Sequence, residues 1–451
     1  EHGQLATARF LLDARADLEN GKSNGATPLF VACEGGHVDT VQFLLEARAE
    51  PSAPMSSDGA TPLLIAAQNG HTQVVNLLLE AGADKDMQRT SDGSTPVIMA
   101  VQFGQLAVLR ELVEVSADLS SARADSLTPL LLACEQGFFD AVEFLLELGA
   151  DVNQAKENGA TALFISAESG HQDILEMLLH KRADVLQTMA SDGASPLLIA
   201  AQNGHLQAVQ SLAEALANID MARTSDDSTP LMMACQFGQL DVIKFLLLRR
   251  GNVQTRRNDG STALITACEH GRVATARFLL SARADLEGGK TNGATPLFVA
   301  CEAGHVRSVE FLLEARAEPG APMSSDGATP LLIAAQNGHT QVVNLLLEAG
   351  ADTDRRRTSD GSTPLIMASR FGQLAAVRQL VEAGADMNST RESDGATPLL
   401  VASEHDRLDV IQFLLDQGVD INQAKDNGAT AVSIARQFGH QTIAELLLRR
   451  L

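Results

Sequence analysis

The sequence predicts an all-α solenoid in which one helix-turn-helix unit stacks on copies of itself, the copies joined by β-turn or hairpin loops. Three observations carry that prediction. A Gly-Ala-Thr-Pro-Leu string recurs with small changes, placing its Thr (once a Ser) at Thr27, Thr61, Thr95, Thr128, Thr161, Ser195, Thr229, Thr262, Thr295, Thr329, Thr363, Thr397 and Thr430. Every interval is 33 or 34 residues, which suits stacked repeats and not the separate globules that 451 residues would otherwise suggest. Each unit carries two short apolar stripes, too small to bury themselves without a neighbour.

Residues 57–84, SDGATPLLIAAQNGHTQVVNLLLEAGAD, show how each element arises. Asp58-Gly59 is a turn dipeptide, since Gly accepts positive φ and Asp bonds its own backbone. Thr61 is the N-cap of a first helix, and Pro62 takes its first position, where a missing N–H costs nothing. The helix runs from Leu63 to Gln68, and Gly70 closes it. A second helix follows with Val74, Leu77 and Leu78 on one face, until Gly82 ends it.

These residues resemble the ankyrin-repeat family in the turn Asp-Gly, Thr-Pro-Leu, Ala-Ala, Gly-His and a Leu-rich second helix ending in Gly-Ala-Asp. The likeness spans the chain. It implies an ankyrin-repeat solenoid whose turn tips and first helices face a concave side and contact other proteins, without catalysis. Two features depart from the family pattern. The His usual after Thr-Pro-Leu is replaced, as by Phe30, Leu64, Ile98 and Met232. The Gly closing the second helix is Arg at Arg15, Arg48, Arg182, Arg283 and Arg316, where a left-handed cap costs a non-Gly residue roughly 1 kcal/mol.

The expected organisation is a single elongated solenoid over 1–451: a partial repeat at 1–23, twelve repeats over 24–425 and a capping repeat at 426–451. Residues 1–17 match only the second half of a unit, so further sequence is expected before Glu1. In the last unit Ser433 and Arg436 stand where neighbours are apolar or small, the polar outer face of a terminal repeat. A longer rhythm overlies the short one. Residues 53–84 recur unchanged at 321–352, eight repeats on.

Composition narrows the functions. A hydrophobic content of 45% with 20% charged residues is that of an ordinary folded chain. A net charge of −23 repels phosphate backbones, so neither nucleic acid nor anionic membrane is an expected partner. No run of about 18 apolar residues is present. Gly21-Lys22-Ser23 and Gly289-Lys290-Thr291 end like a phosphate loop, but Ala16 and Ala284 replace its first Gly, and the segments fall in inter-repeat turns. Cys33, Cys134, Cys235, Cys268 and Cys301 share one position of the first helix and read as small buried filler in a reducing cytoplasm. His37, His71, His171, His205, His305, His339 and His440 sit on separate tiers, which suits local structural hydrogen bonds better than a metal. No catalytic, cofactor or metal residue is expected.

Surface remains. The residue before the first helix's closing Gly varies, as a binding position would, and resemblance points it to the concave side. Phe103, Phe237 and Phe371 recur there every four repeats, with Phe438 and with Asn69, Asn203 and Asn337 at the same register. Turn-tip carboxylates at Asp58, Asp92, Asp192, Asp326 and Asp360 first serve the turn, and beside apolar anchors they would suit a basic partner. The reading is a monomeric, non-catalytic scaffold or adaptor binding other proteins. Its alternative is a targeting or regulatory arm of a larger enzyme or channel.

Overall fold

A computed structural model describes residues 5–451. It contains 27 helices and, among the described residues, no strand, only two isolated antiparallel bridges, Ala155–Thr161 and Ala424–Thr430. The chain divides into two compact units, Glu1–Ala200 with His205–Asn218 and Ala201–Gly204 with Ile219–Leu451. Each is built alike. In the first, α1 (Leu5–Asp13) is the second helix of the partial repeat. The pairs α2 (Pro28–Glu34) and α3 (Val38–Glu46), α4 (Pro62–Asn69) and α5 (Thr72–Glu80), α6 (Pro96–Gln102) and α7 (Leu106–Glu114) come next. They are followed by α8 (Pro129–Gln136) and α9 (Phe139–Glu147), α10 (Ala162–Ser169) and α11 (Gln172–His180), and α12 (Pro196–Asn203) and α13 (Leu206–Glu214), the division running through α12.

The second unit continues with α14 (Pro230–Phe237) and α15 (Leu240–Leu248), α16 (Ala263–Glu269) and α17 (Val273–Ser281), α18 (Pro296–Glu302) and α19 (Val306–Glu314). Then come α20 (Pro330–Asn337) and α21 (Thr340–Glu348), α22 (Pro364–Phe371) and α23 (Leu374–Glu382), α24 (Pro398–Glu404) and α25 (Leu408–Asp416), and finally α26 (Ala431–Gln437) and α27 (Gln441–Arg450).

The capping expected from sequence is what starts each first helix. Thr61 Oγ accepts from Leu64 N–H at 3.2 Å, Ser195 Oγ from Leu198 N–H at 3.2 Å and Thr397 Oγ from Leu400 N–H at 3.4 Å, each satisfying one orphan donor of the first turn. Gly70 ends α4 in the left-handed region at φ 75°. In α5 the fully buried face is Val74, Val75 and Leu78, and Leu77 is only half-buried. Val75, one residue from Val74, shares the inward side on a 3.6-residue helix, and Leu77 falls on its flank.

The first helices stack, α4 on α6 and α20 on α22. Their small residues allow that approach: Ala66, Ala67, Ala100 and Cys134 have no exposed surface. The residues standing in for the family's His are core, with Phe30, Leu64, Ile98 and Met232 at most 5% exposed. In α26, Ser433 and Arg436 are exposed where α24 has buried Leu400 and Ser403.

Candidate functional site

The turn tips are built around their carboxylates. Asp58 Oδ1 accepts from Ala60 N–H at 3.1 Å, Asp192 Oδ1 from Ala194 N–H at 3.0 Å and Asp326 Oδ1 from Ala328 N–H at 3.0 Å. Successive tips are also joined through the main chain, as where Ser91 N–H donates to Asp58 O and Ala124 N–H to Asp92 O. Arginines three residues earlier in the chain reinforce some of these tips. Arg89 grips Asp92 with Nε and Nη2 at 2.9 and 2.5 Å, and Arg357 grips Asp360 at 3.1 and 2.8 Å, with Ser94 and Ser362 hydroxyls donating to the same carboxylates. The Arg89 guanidinium holds the Asp92 carboxyl well below the usual range. Burial alone would raise Asp360, but the bonds from Arg357 and Ser362 bring it down to about 2. Much of the acidic ridge read from sequence is therefore engaged within the turns. The Arg-x-x-Asp spacing was the signal that could have revealed it.

The ends of the first helices present the other candidates. Phe103, Phe237, Phe371 and Phe438 are 46, 45, 43 and 51% exposed. Beside two of them stand polar rings or cations: Arg370 lies 5.7 Å from the Phe371 ring, and Phe438 stacks on His440 at 6.2 Å. At the same register Asn69 and Asn337 donate to the carbonyls of Glu34 and Glu302, both at 3.0 Å, and Asn203 is exposed. The structure thus brings the Phe and Asn candidates to one register and the Asp candidates to another.

The histidines are structural, though their bonds are not local. His71 Nε2 lies 3.1 Å from Glu34 O, His305 Nε2 3.0 Å from Glu269 O and His440 Nε2 3.2 Å from Glu404 O, each on the first helix of the preceding repeat. Where His is missing, Gln105, Gln239 and Gln373 donate to the matching carbonyls at 3.1–3.3 Å, and Arg272 and Arg407 do so through Nε. Among the described residues no three His, Cys, Asp or Glu side chains gather as metal ligands would. All five cysteines are free and buried, and burial pushes the Cys134 and Cys268 thiols up to about 12. The Lys290 turn opens no phosphate cradle. Thr291 N–H donates to Asp259 O, and Lys290 Nζ pairs with Glu269 at 3.3 Å and Asp259 at 3.7 Å.

A family model described as ankyrin repeats (3 copies) matches at residues 1–89, 52–123, 97–189, 186–257, 247–323, 317–391 and 388–450. The chain belongs to the ankyrin-repeat family. No curated protein matches it. Ankyrin repeats generally mediate protein–protein interaction and are typically not enzymes. Among the described residues of this ankyrin-repeat chain, no helix is long and apolar enough to cross a membrane.

Proposed function

We propose that the chain is a non-catalytic interaction scaffold whose first-helix ends and turn tips hold partner proteins, with no cofactor of its own. The observation that supports this reading is the recurrence of half-exposed phenylalanines, Phe103, Phe237, Phe371 and Phe438, at one register of the repeat. An aromatic ring left about half in water is poorly used as core, and such rings are the usual anchors of interfaces. The bonded turns hold their tips rigid, which lowers the entropic cost of binding. A cytoplasmic setting fits five thiols kept reduced in the core.

The test replaces all four phenylalanines with Ala in the whole chain. Captured partner proteins should be lost or weakened by about 2 kcal/mol per engaged ring, while each replacement costs the fold well under the roughly 3–5 kcal/mol of a core Phe. Capture unchanged beside a large fall in melting temperature would show that these rings belong to the core and end the reading.

A further inference from the structure

The chain is strongly acidic, yet one stretch of the second unit is basic. Residues 240–283 hold eight Lys and Arg against three Asp and Glu, a formal +5. The chain contains its own controls for this stretch, because its four-repeat rhythm places the same elements at 106–149 and 374–418. There the counts are two against eight and three against eight, formal charges of −6 and −5. The reversal comes from surface positions. Glu143 and Gln412 correspond to Arg277, Gly149 and Gly418 to Arg283, and Ser116 and Gly384 to Arg250.

These changes fall on α17 and on the left-handed turns that close α15 and α17. Val242, Ile243 and Leu246 of α15 and Thr275, Ala276 and Leu279 of α17 face inward, leaving Lys244, Arg250, Arg277 and Arg283 exposed. Lys244 Nζ lies 5.7 Å from the Phe278 ring, joining the two helices into one surface, and Arg277 lies 4.5 Å over Phe311 of α19. Arg277 thus rests on a ring face. Two apolar groups sit among the cations. Leu248 is 81% exposed where the matching helices carry Glu114 and Glu382, and Phe278 is 37% exposed.

We infer that this face of α15 and α17 docks a short acidic peptide segment of a partner protein, one that carries a large apolar side chain among its carboxylates. Charge complementarity selects an anionic partner, and Leu248 and Phe278 select one with an apolar group to bury. The surrounding charge sets its size. A chain of −23 repels a long polyanion or a membrane surface, whereas a short segment senses mainly what lies within a Debye length of about 8 Å. The surface lies on second helices, apart from the first-helix ends that support the proposed scaffold function, so either can fail without the other.

A fluorescent synthetic peptide with runs of Glu around a single Leu, titrated into the whole chain and followed by anisotropy, tests this directly. Binding is expected, weakening as salt rises past about 0.1 M, where screening reaches about 10 Å. The variant Arg250→Gly with Arg277→Gln and Arg283→Gly should weaken it about tenfold or more. Each replacement is the residue that a matching helix pair of this chain already carries, so the variant should fold, as a melting curve will verify. Arg378→Gln, at the place of Lys244 in an acidic copy, should leave binding unchanged. Lack of peptide binding, equal binding by the triple variant, or equal loss in Arg378→Gln overturns the inference. So does tighter binding of single-stranded DNA or phosphatidylserine vesicles that the triple variant abolishes, since the face would then serve nucleic acid or membrane.

Discussion

Left-handed backbone recurs at three places in the repeat, the turn tip and the end of each helix, and the two helix ends tolerate side chains differently. After the first helix, a Cβ on Gly70 would run into the Gln105 side chain of the next repeat; after the second, a Cβ on Gly82 would meet nothing within 4 Å. The second helix end therefore accepts other residues at the cost of φ alone. Arg15, Arg48, Arg182, Arg283 and Arg316 sit there at φ 61–70°, as the sequence indicated. Ser116, Leu216 and Arg250 share the conformation, and motif reading did not single them out. Near Arg250 the sequence offers Gly251 one place late, and the nine-residue length of α15 decides which residue takes the turn. Leu216 is 87% exposed at φ 66°, so Leu216→Gly should stabilise the protein by about 1 kcal/mol in chemical denaturation. Gly82→Ala should cost about 1 kcal/mol, and Gly70→Ala clearly more because the Gln105 bond must also give way. Equal costs at the two glycines would refute the distinction. At the first helix end Asp406 alone replaces Gly in the series, at φ 59°, and its carboxylate lies 3.7 Å from His440 Nδ1 of the next repeat.

Between elements, side chains of one repeat fasten the backbone of the next. Ser52 Oγ accepts from Asp84 N–H at 2.9 Å, as Asp86 does from Asp118 N–H and Asp354 from Asp386 N–H. Just before the second copy of the duplicated segment Gly320 takes the place of Ser52, and a cavity of about 340 Å³ lies open there between Pro319, Pro322, Leu331 and Arg355. A Cβ on Gly320 would touch nothing. Gly320→Ser should restore the bond, to Asp352 N–H, and raise stability by about 1 kcal/mol, with a denaturation midpoint no higher than the parent's counting against it. The Arg-Asp turns make an acid-sensitive element. A free Asp titrates near 3.9, whereas Asp360 is held at about 2. A carboxyl lowered on folding stabilises fully above its unfolded value, and that contribution is lost as pH falls from about 4 through about 2. Asp360→Asn should therefore lower the melting temperature at neutral pH and flatten its fall across that window. Curves for parent and variant that stay parallel down to about pH 2 would exclude this role. The helices, their caps and most of these turns were legible because each depends on residues within four positions. The clasps by His, Gln and Arg were not, because donor and carbonyl stand 36 or 37 residues apart.

In the whole molecule, the unchanged segments 53–84 and 321–352 also fold alike. Gln68 and Gln336 are half-buried in both copies, and Asn69, Asn337, Gln73 and Gln341 are exposed. A partner held through this surface is expected to bind twice per chain. Calorimetry on the whole chain, with Gln73→Glu or Gln341→Glu introduced singly, should show two sites and the loss of one with each change; a single site sensitive to only one of them would dispose of the idea. For a partner with two heads, such a pair is worth about 10²–10⁴ in avidity if it can span both. The sequence by itself determined the repeat, its length, its two helices and their caps, because these follow from local backbone preference and an apolar period repeated many times over. It also brought Phe103, Phe237 and Phe371 to notice through their spacing. Only the tertiary structure decided that these rings stay half in water while Phe30 and Phe298 are buried, and that His, Gln and Arg side chains clasp carbonyls of the preceding repeat. Burial and these clasps are set by what the adjoining repeat places opposite a residue, and a single unit's sequence does not contain that neighbour.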